Sequence, residues 1–254
     1  MTDERPIAVA LRSVVAPLQI SGSGAGAFLV LADDGEEYWV KAPNNPQGAR
    51  SLIAERVVAG IGELIGAPVP DTALMAIPDD LRFEFKPGIR TNGGLGHGSL
   101  NVQPVVNSTD WGRFAPDDHN RERTASILGL WDLCLGFDEQ WVHQSDEDNQ
   151  IFTVDHGFWF GGGSDWTIAD LQRVGTNAWD QDLDPGIASA VALRDAADRI
   201  DTLTLDMLRG VVDTVPVEWD TTPAELSELA SILFVRAEGV AARLRTNAAH
   251  SRHR

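Results

Sequence analysis

Between Phe28 and Gly66 the hydrophobic period changes once, across a single short loop. Phe28–Leu31 is an apolar run, Asp33-Asp34-Gly35 is a turn signal, and Tyr38-Trp39-Val40 follows. That is a β-hairpin pattern. After the loop "NNPQGARS", apolar residues recur every three to four positions at Leu52, Ile53, Val57, Val58, Ile61 and Leu64. That period predicts an amphipathic helix, with Ser51 or a neighbour as its cap and Gly66 as its end. A hairpin feeding directly into a helix, with "APVPDTALMAI" returning to strand character, excludes an all-helical or all-β chain.

Farther on, the balance shifts to helices. "NRERTASILGLWDLCLGF" offers Ile127, Leu128, Leu130, Trp131, Leu133, Cys134 and Leu135 as a buried face. A polar segment, "DEQWVHQSDEDNQ", precedes a short apolar strand, "IFTV", and the remainder reads as helices joined by loops. The Pro- and Gly-rich stretch Pro78–Gly98 is expected to be a linker between lobes. These observations predict an α+β chain. A β-rich lobe with one helix occupies residues 1–88, and a larger, mostly helical lobe occupies 89–254. A cleft between two lobes is where a ligand is expected.

Composition narrows the functions. The net charge of −18 repels phosphate backbones, so no direct nucleic-acid partner is expected. The basic tail "RLRTNAAHSRHR" reads as a frayed end rather than a binding arm. No run reaches the ~18 apolar residues of a membrane span, and the acidic start "MTDERPIAVALRSVV" has no signal-peptide pattern. A lone Cys134 excludes an intrachain disulfide and a cysteine zinc cluster. A cytoplasmic location is the expectation. Only Lys41 and Lys86 are lysines among 20 basic residues. Lysine is a compact point charge able to enter a pocket, unlike the broad arginine fork, so Lys41 invites a chemical role.

Four features deserve weighing together. Gly22, Gly24 and Gly26 lie in a turn between strands, where the backbone can approach a ligand and direct N–H groups at phosphate. Lys41 ends a strand and shares a face with Trp39 by alternation. Glu55 flanks the apolar face of the helix, where burial requires a partner such as Lys41. Asp138 opens a polar loop after a buried helix end, and Asp155 ends the apolar "IFTV" strand before His156-Gly157. Two such aspartates suit Mg²⁺ binding and the orientation of a hydroxyl. Taken singly, each has an ordinary alternative: a flexible turn, a solvated edge lysine, a glutamate paired with Arg56 or with water, and a surface turn.

The order of these features resembles the protein-kinase series of glycine loop, strand lysine, helix glutamate, catalytic aspartate and Asp-x-Gly. More closely, "GSGAGAFLVLADDGEEYWVKAPNNPQGARSLIAERVVAGIGELIGAPVPD" and "LGFDEQWVHQSDEDNQIFTVDHGFWFGGGSDWT" resemble HipA-like kinases of actinobacteria and their phages, over about residues 18 to 170. The resemblance implies a two-lobed protein-kinase-like fold and an ATP- and Mg²⁺-dependent phosphotransferase, a serine/threonine protein kinase of toxin type. It implies that Lys41 contacts ATP phosphates and pairs with Glu55, and that Gly22, Gly24 and Gly26 cover those phosphates. Asp138 would be catalytic and Asp155 a metal ligand. The implied partners are a protein or small-molecule phosphoacceptor and a separate antitoxin-like protein.

Some positions depart from the pattern. His143 stands where kinases carry the asparagine of a second metal site. It is therefore a candidate metal ligand, although imidazole suits Mg²⁺ poorly. Gln140 or Asp146 as substitutes, or a single metal, are the alternatives. Gly136-Phe137 replace the His-Arg that precedes the usual catalytic aspartate. These departures keep open a pseudokinase or nucleotide-binding regulatory module, and a nucleotidyl or small-molecule phosphotransferase. His156 is expected to bridge its loop structurally, Trp141, Trp159 and Trp166 to pack beneath the site, and Lys86 and Arg90 to be exposed.

Overall fold

The computed structural model describes residues 9–107, 112–117, 119–161, 163–179 and 183–250. Strands β1 (Ala10–Ile20), β2 (Phe28–Ala32) and β3 (Glu37–Lys41) form an antiparallel meander. Helix α1 (Ala49–Ile65) follows, and then β4 (Thr72–Ile77), short β5 (Glu84–Lys86) and β6 (Ile89–Arg90), and β7 (Gly94–Leu100). The sheet closes into a barrel in the order β1-β2-β3-β7-β4. Alternating residues fill it: Phe28, Val30, Val40, Ala73 and Met75 are all buried in one cluster capped by Phe85.

This corrects the reading of Pro78–Gly98 as a linker, because the stretch supplies three strands. β7 also lies beyond the expected lobe boundary at residue 88 and pairs with both β3 and β4. The glycines misled for a physical reason. A Cβ on Gly98 would come 2.5 Å from Met75 Cγ, so glycine there makes room for barrel packing instead of marking a hinge.

Helix α1 has its left-handed C-cap at Gly66, as the sequence indicates, but Gly48 rather than Ser51 is the N-cap. It is not amphipathic. Thirteen of its 17 residues are buried, among them Glu55 and Arg56. A helix enclosed on all sides needs partners on all sides. The apolar residues of α1 share one core with the helical lobe, apart from the barrel core.

After β8 (Val105–Asn107) come α2 (Asn120–Leu133), β9 (Trp141–Gln144) and β10 (Gln150–Thr153), with the sheet order β10-β9-β8. β9 falls within the segment expected to be a polar loop. Helices α3 (Ile168–Val174), α4 (Ala190–Asp201), α5 (Leu205–Val212) and the long α6 (Pro223–His250) complete the lobe. The arginines of "RLRTNAAH" are helical in α6, which corrects the frayed-end expectation for residues up to 250. Among the described residues, no helix is long and apolar enough to cross a membrane.

The lobes are tied together at α1 and β7. The Trp166 indole N–H donates to the Arg50 carbonyl at 3.0 Å, while the Arg50 guanidinium lies over the Trp166 ring and pairs with Glu225. The buried Trp219 donates to the Leu95 carbonyl at 2.8 Å. The wholly buried Arg236 of α6 donates to the carbonyls of Asp132 and Leu133, which anchors the end of α2 from which the next loop departs.

Candidate active site

Four elements converge on one cleft of about 360 Å³. β3 brings Lys41, α1 brings Glu55, β10 leads into Asp155, and the loop from β1 to β2 brings Ser21, Ser23 and Ala27. The Lys41 ammonium donates to Glu55 Oε1 and to Asp155 Oδ1. Glu55 also accepts from the His156 backbone N–H at 3.0 Å through Oε2. Lys41 and Glu55 are only 6% and 4% exposed. Burial works against charge on Lys41, but its two carboxylate partners prevail and raise its pKa. Burial likewise opposes charge on Glu55, and Lys41 and His156 prevail to lower its pKa. Both groups are therefore charged at neutral pH. The expected pairing of Lys41 with Glu55 is present, with Asp155 as a third member.

Gly22, Gly24 and Gly26 stand in the turn over this cleft. Gly26 has φ +66°, and a Cβ there would meet Phe85 Cδ2 at 2.8 Å, so the turn requires glycine. Ser21 and Ser23 brace it: their hydroxyls are 2.8 Å apart, and the Ser23 hydroxyl accepts from Ala27 N–H. Lys86, expected at the surface, donates to the Gly24 carbonyl and tethers the loop to β5.

Asp138 and Asp155 both adopt left-handed backbone, each at φ +58°. Aspartate tolerates that region better than most residues, and such positions concentrate at functional sites. Backbone bonds stitch their loops together. Val154 N–H donates to Gln140 O at 3.2 Å, and Phe160 N–H donates to Cys134 O at 3.0 Å. Asp138 is exposed and accepts from Gln140 Nε2 at 3.1 Å. Gln140 lines the cleft beside Val142, Val154 and Asp155.

His143 does not join Asp155. It pairs with Ile151 and Val106 in the middle of the sheet, on the opposite face from the cleft-lining Val142. It is buried, with its ring against Phe114 at a centroid distance of 4.7 Å. Burial lowers its pKa, in keeping with a neutral packed imidazole. Strand alternation is the reason: odd positions of β9 face the core. Asp146 lies in the exposed turn at the far end of the β9–β10 hairpin, so Gln140 is the substitute nearest Asp155.

Other expectations sort by burial. His156 is buried, and its ring meets Thr153 Oγ1 at 3.1 Å and Trp159 edge-on, as a bridging residue should. Trp141, Trp159 and Trp166 lie in the large core. Spacing did not reveal the rest of the cleft wall. Trp39 donates to Asn101 Oδ1 at 2.9 Å, and His97 and Ser99 of β7 face inward. The β3–β7 register that brings these residues beside Lys41 has no local signature.

Among the described residues there is no group of three or more metal-binding side chains. Asp155 offers hard carboxylate oxygens at the cleft, with the Gln140 amide nearby. That donor set suits a Mg²⁺ ion held by one or two protein ligands and by substrate phosphates.

Sequence comparison identifies the front of the chain. Residues 18–109 match the model of the HipA-like kinase family. This HipA-like segment contains the glycine turn, Lys41, Glu55, His97 and the whole barrel apart from most of β1. No curated protein is significantly similar in sequence. Among solved structures, the Helicobacter pylori proinflammatory kinase CtkA superposes with a TM-score of 0.61 at 12% identity, over 96% of this chain and 98% of that one. The Golgi casein kinase gives a TM-score of 0.48 at 12% identity, over 94% of this chain and 74% of its own. The CtkA likeness extends the kinase fold beyond the HipA-like segment to the helical lobe.

Proposed function

We propose that this protein is an ATP- and Mg²⁺-dependent kinase that phosphorylates a serine or threonine hydroxyl of a protein. The observation that carries the reading is Lys41 held between Glu55 and Asp155 beneath a glycine turn. Lys41 binds the phosphates of ATP, kept charged and in place by Glu55. The turn from Gly22 to Gly26 covers the phosphates with backbone N–H groups. Asp155, with Gln140 beside it, holds the metal. Mg²⁺ held there would supply positive charge to neutralise the phosphates. Asp138, exposed and hydrogen-bonded to the cleft-lining Gln140, orients the acceptor hydroxyl and takes its proton as the γ-phosphoryl group moves from ATP to the acceptor oxygen. Catalysis of this kind is mostly positioning and charge stabilisation, which the rigid attachment of α1 favours.

The test is transfer of radiolabelled γ-phosphate to proteins of a host lysate. Wild type labels an acceptor on Ser or Thr, and Asp138→Ala does not. Equal labelling by both proteins contradicts the assignment. A toxin role, with a separate antitoxin-like partner, predicts that expression arrests host growth only while Asp138 is intact.

One observation favours a second reading. His143 is packed against Phe114, so β9 supplies no second metal ligand at the position kinases use. A nucleotide-binding regulatory module then predicts a thermal shift with ATP and Mg²⁺ but no transfer to any acceptor. Mass spectrometry of a modified acceptor separates both readings from a nucleotidyltransferase by the mass added.

A further inference from the structure

His97 stands opposite Lys41 on β3 and Leu74 on β4 in the barrel ladder. Directly paired residues share a face, so its imidazole lies on the same side as the Lys41 ammonium. It lines the cleft and is 3% exposed. Neither ring nitrogen has a hydrogen-bond partner among the described residues. A buried imidazole lacking both partners destabilises the free protein, and a cleft is where a ligand can supply what is missing.

The rest of the cleft suggests which ligand. Trp39, Leu100, Val102, Val142 and Val154 make an apolar slot. Ser99, on the same face as His97 and opposite Trp39, adds only a hydroxymethyl group to the wall. Burial, with Arg56 and Lys41 close by, holds the His97 pKa well below its ordinary value. The imidazole is therefore neutral and keeps one nitrogen able to accept. A planar base with apolar faces and a donor on its edge matches both halves of the cleft.

We propose that His97 is a specificity-determining residue that accepts a hydrogen bond from the 6-amino group of an adenine base seated in this slot. The inference rests on the nucleotide reading above and adds the group that reads the base.

Isothermal titration with Mg²⁺ compares ATP with purine riboside 5′-triphosphate, which lacks the 6-amino group, on wild type, His97→Phe and His97→Gln. Wild type favours ATP by about tenfold, the scale of one neutral hydrogen bond. His97→Phe binds the two nucleotides equally, whereas His97→Gln, which retains an acceptor, keeps the preference. Ligand-free His97→Phe melts no lower than wild type, because it removes two unpaired buried polar atoms. A merely structural histidine gives the reverse, a lower melting temperature with the preference intact, and that result overturns the proposal. Equal binding of both nucleotides by wild type overturns it while leaving the kinase reading standing. Wild type that binds neither overturns both. If His97→Phe does not fold, the wild-type ratio and His97→Gln decide.

Discussion

Lys41 and Asp155, 114 residues apart in the chain, form a direct ion pair in the cleft. Lys41 is buried on β3 of the barrel, and Asp155 has a side chain 27% exposed at the end of β10. Glu55 on the enclosed helix α1 completes the set. The pair joins the barrel to the helical lobe through the residues proposed to handle phosphate and metal.

Removing the ammonium exposes the cost of this arrangement. Lys41→Met leaves the buried Glu55 carboxylate without its main partner, and breaking a buried pair costs about 3–5 kcal/mol. Urea denaturation should show that loss, together with abolished phosphotransfer. The double variant Lys41→Met/Glu55→Leu should recover much of the stability and none of the activity. Unchanged stability in Lys41→Met would contradict the burial of this pair.

Asp155→Asn separates chemistry from folding. Its side chain is partly exposed, and Lys41 retains Glu55, so the melting temperature should change little. Phosphotransfer should fall by at least ~100-fold, as when a transition-state charge contact is removed. Turnover at the wild-type rate would exclude Asp155 as the metal ligand.

The glycine turn offers an internal control. Gly26→Ala forces a side chain into left-handed backbone, at about 1–2 kcal/mol, and drives its Cβ against Phe85. Gly22 has nothing within 4 Å of its would-be Cβ. Gly22→Ala should therefore be nearly neutral in thermal denaturation, and Gly26→Ala clearly destabilising. Equal effects would show that the turn is built differently.

His143→Asn places the kinase-type asparagine in the chain but on the wrong face of β9. It should give no gain in activity and should lose stability, because the ring leaves its packing against Phe114. A gain in Mg²⁺-dependent turnover would show that this side chain does reach the cleft.

Acid should weaken the fold in two stages. His97 and His156 have pKa values lowered by burial from an ordinary 6.5. The unfolded chain therefore takes up protons near 6.5 that the folded chain refuses. Stability must fall as pH drops below that value, by at most ~1.4 kcal/mol per pH unit per histidine. Glu55, lowered from 4.5, contributes stability above that value that is lost on further acidification. Lys41, raised from 10.5, contributes fully throughout this range and loses its share only in strong alkali. Melting temperatures should decline between about pH 7 and 5 and fall faster below about 4.5. A flat profile from 7 to 5 would mean the two histidines are not buried neutral.

Several elements were legible because they depend on short-range chemistry. The Asp33-Asp34-Gly35 turn and the alternation around it specify the β2–β3 hairpin, and Gly66 ends α1 where a left-handed cap is needed. The order of glycine turn, Lys41, Glu55 and Asp155 is a property of the sequence alone, and it carried the family resemblance. Burial was harder to read. Leu52, Val58 and their neighbours give α1 one apolar stripe, yet the structure encloses the helix on every side. Gly98 read as part of a linker because sequence does not show that Met75 needs the space it leaves.

By itself, then, the sequence determined the local elements, the α+β class and the candidates Lys41, Glu55, Asp138 and Asp155. Tertiary structure decided which side chains meet. Strand register sets His97 beside Lys41, because cross-strand partners share a face. The parity of β9 turns His143 into the core and Val142 into the cleft, because side chains alternate along a strand. Neither register nor parity leaves a mark in the local sequence, since both are fixed by how distant segments close the barrel and pack around α1.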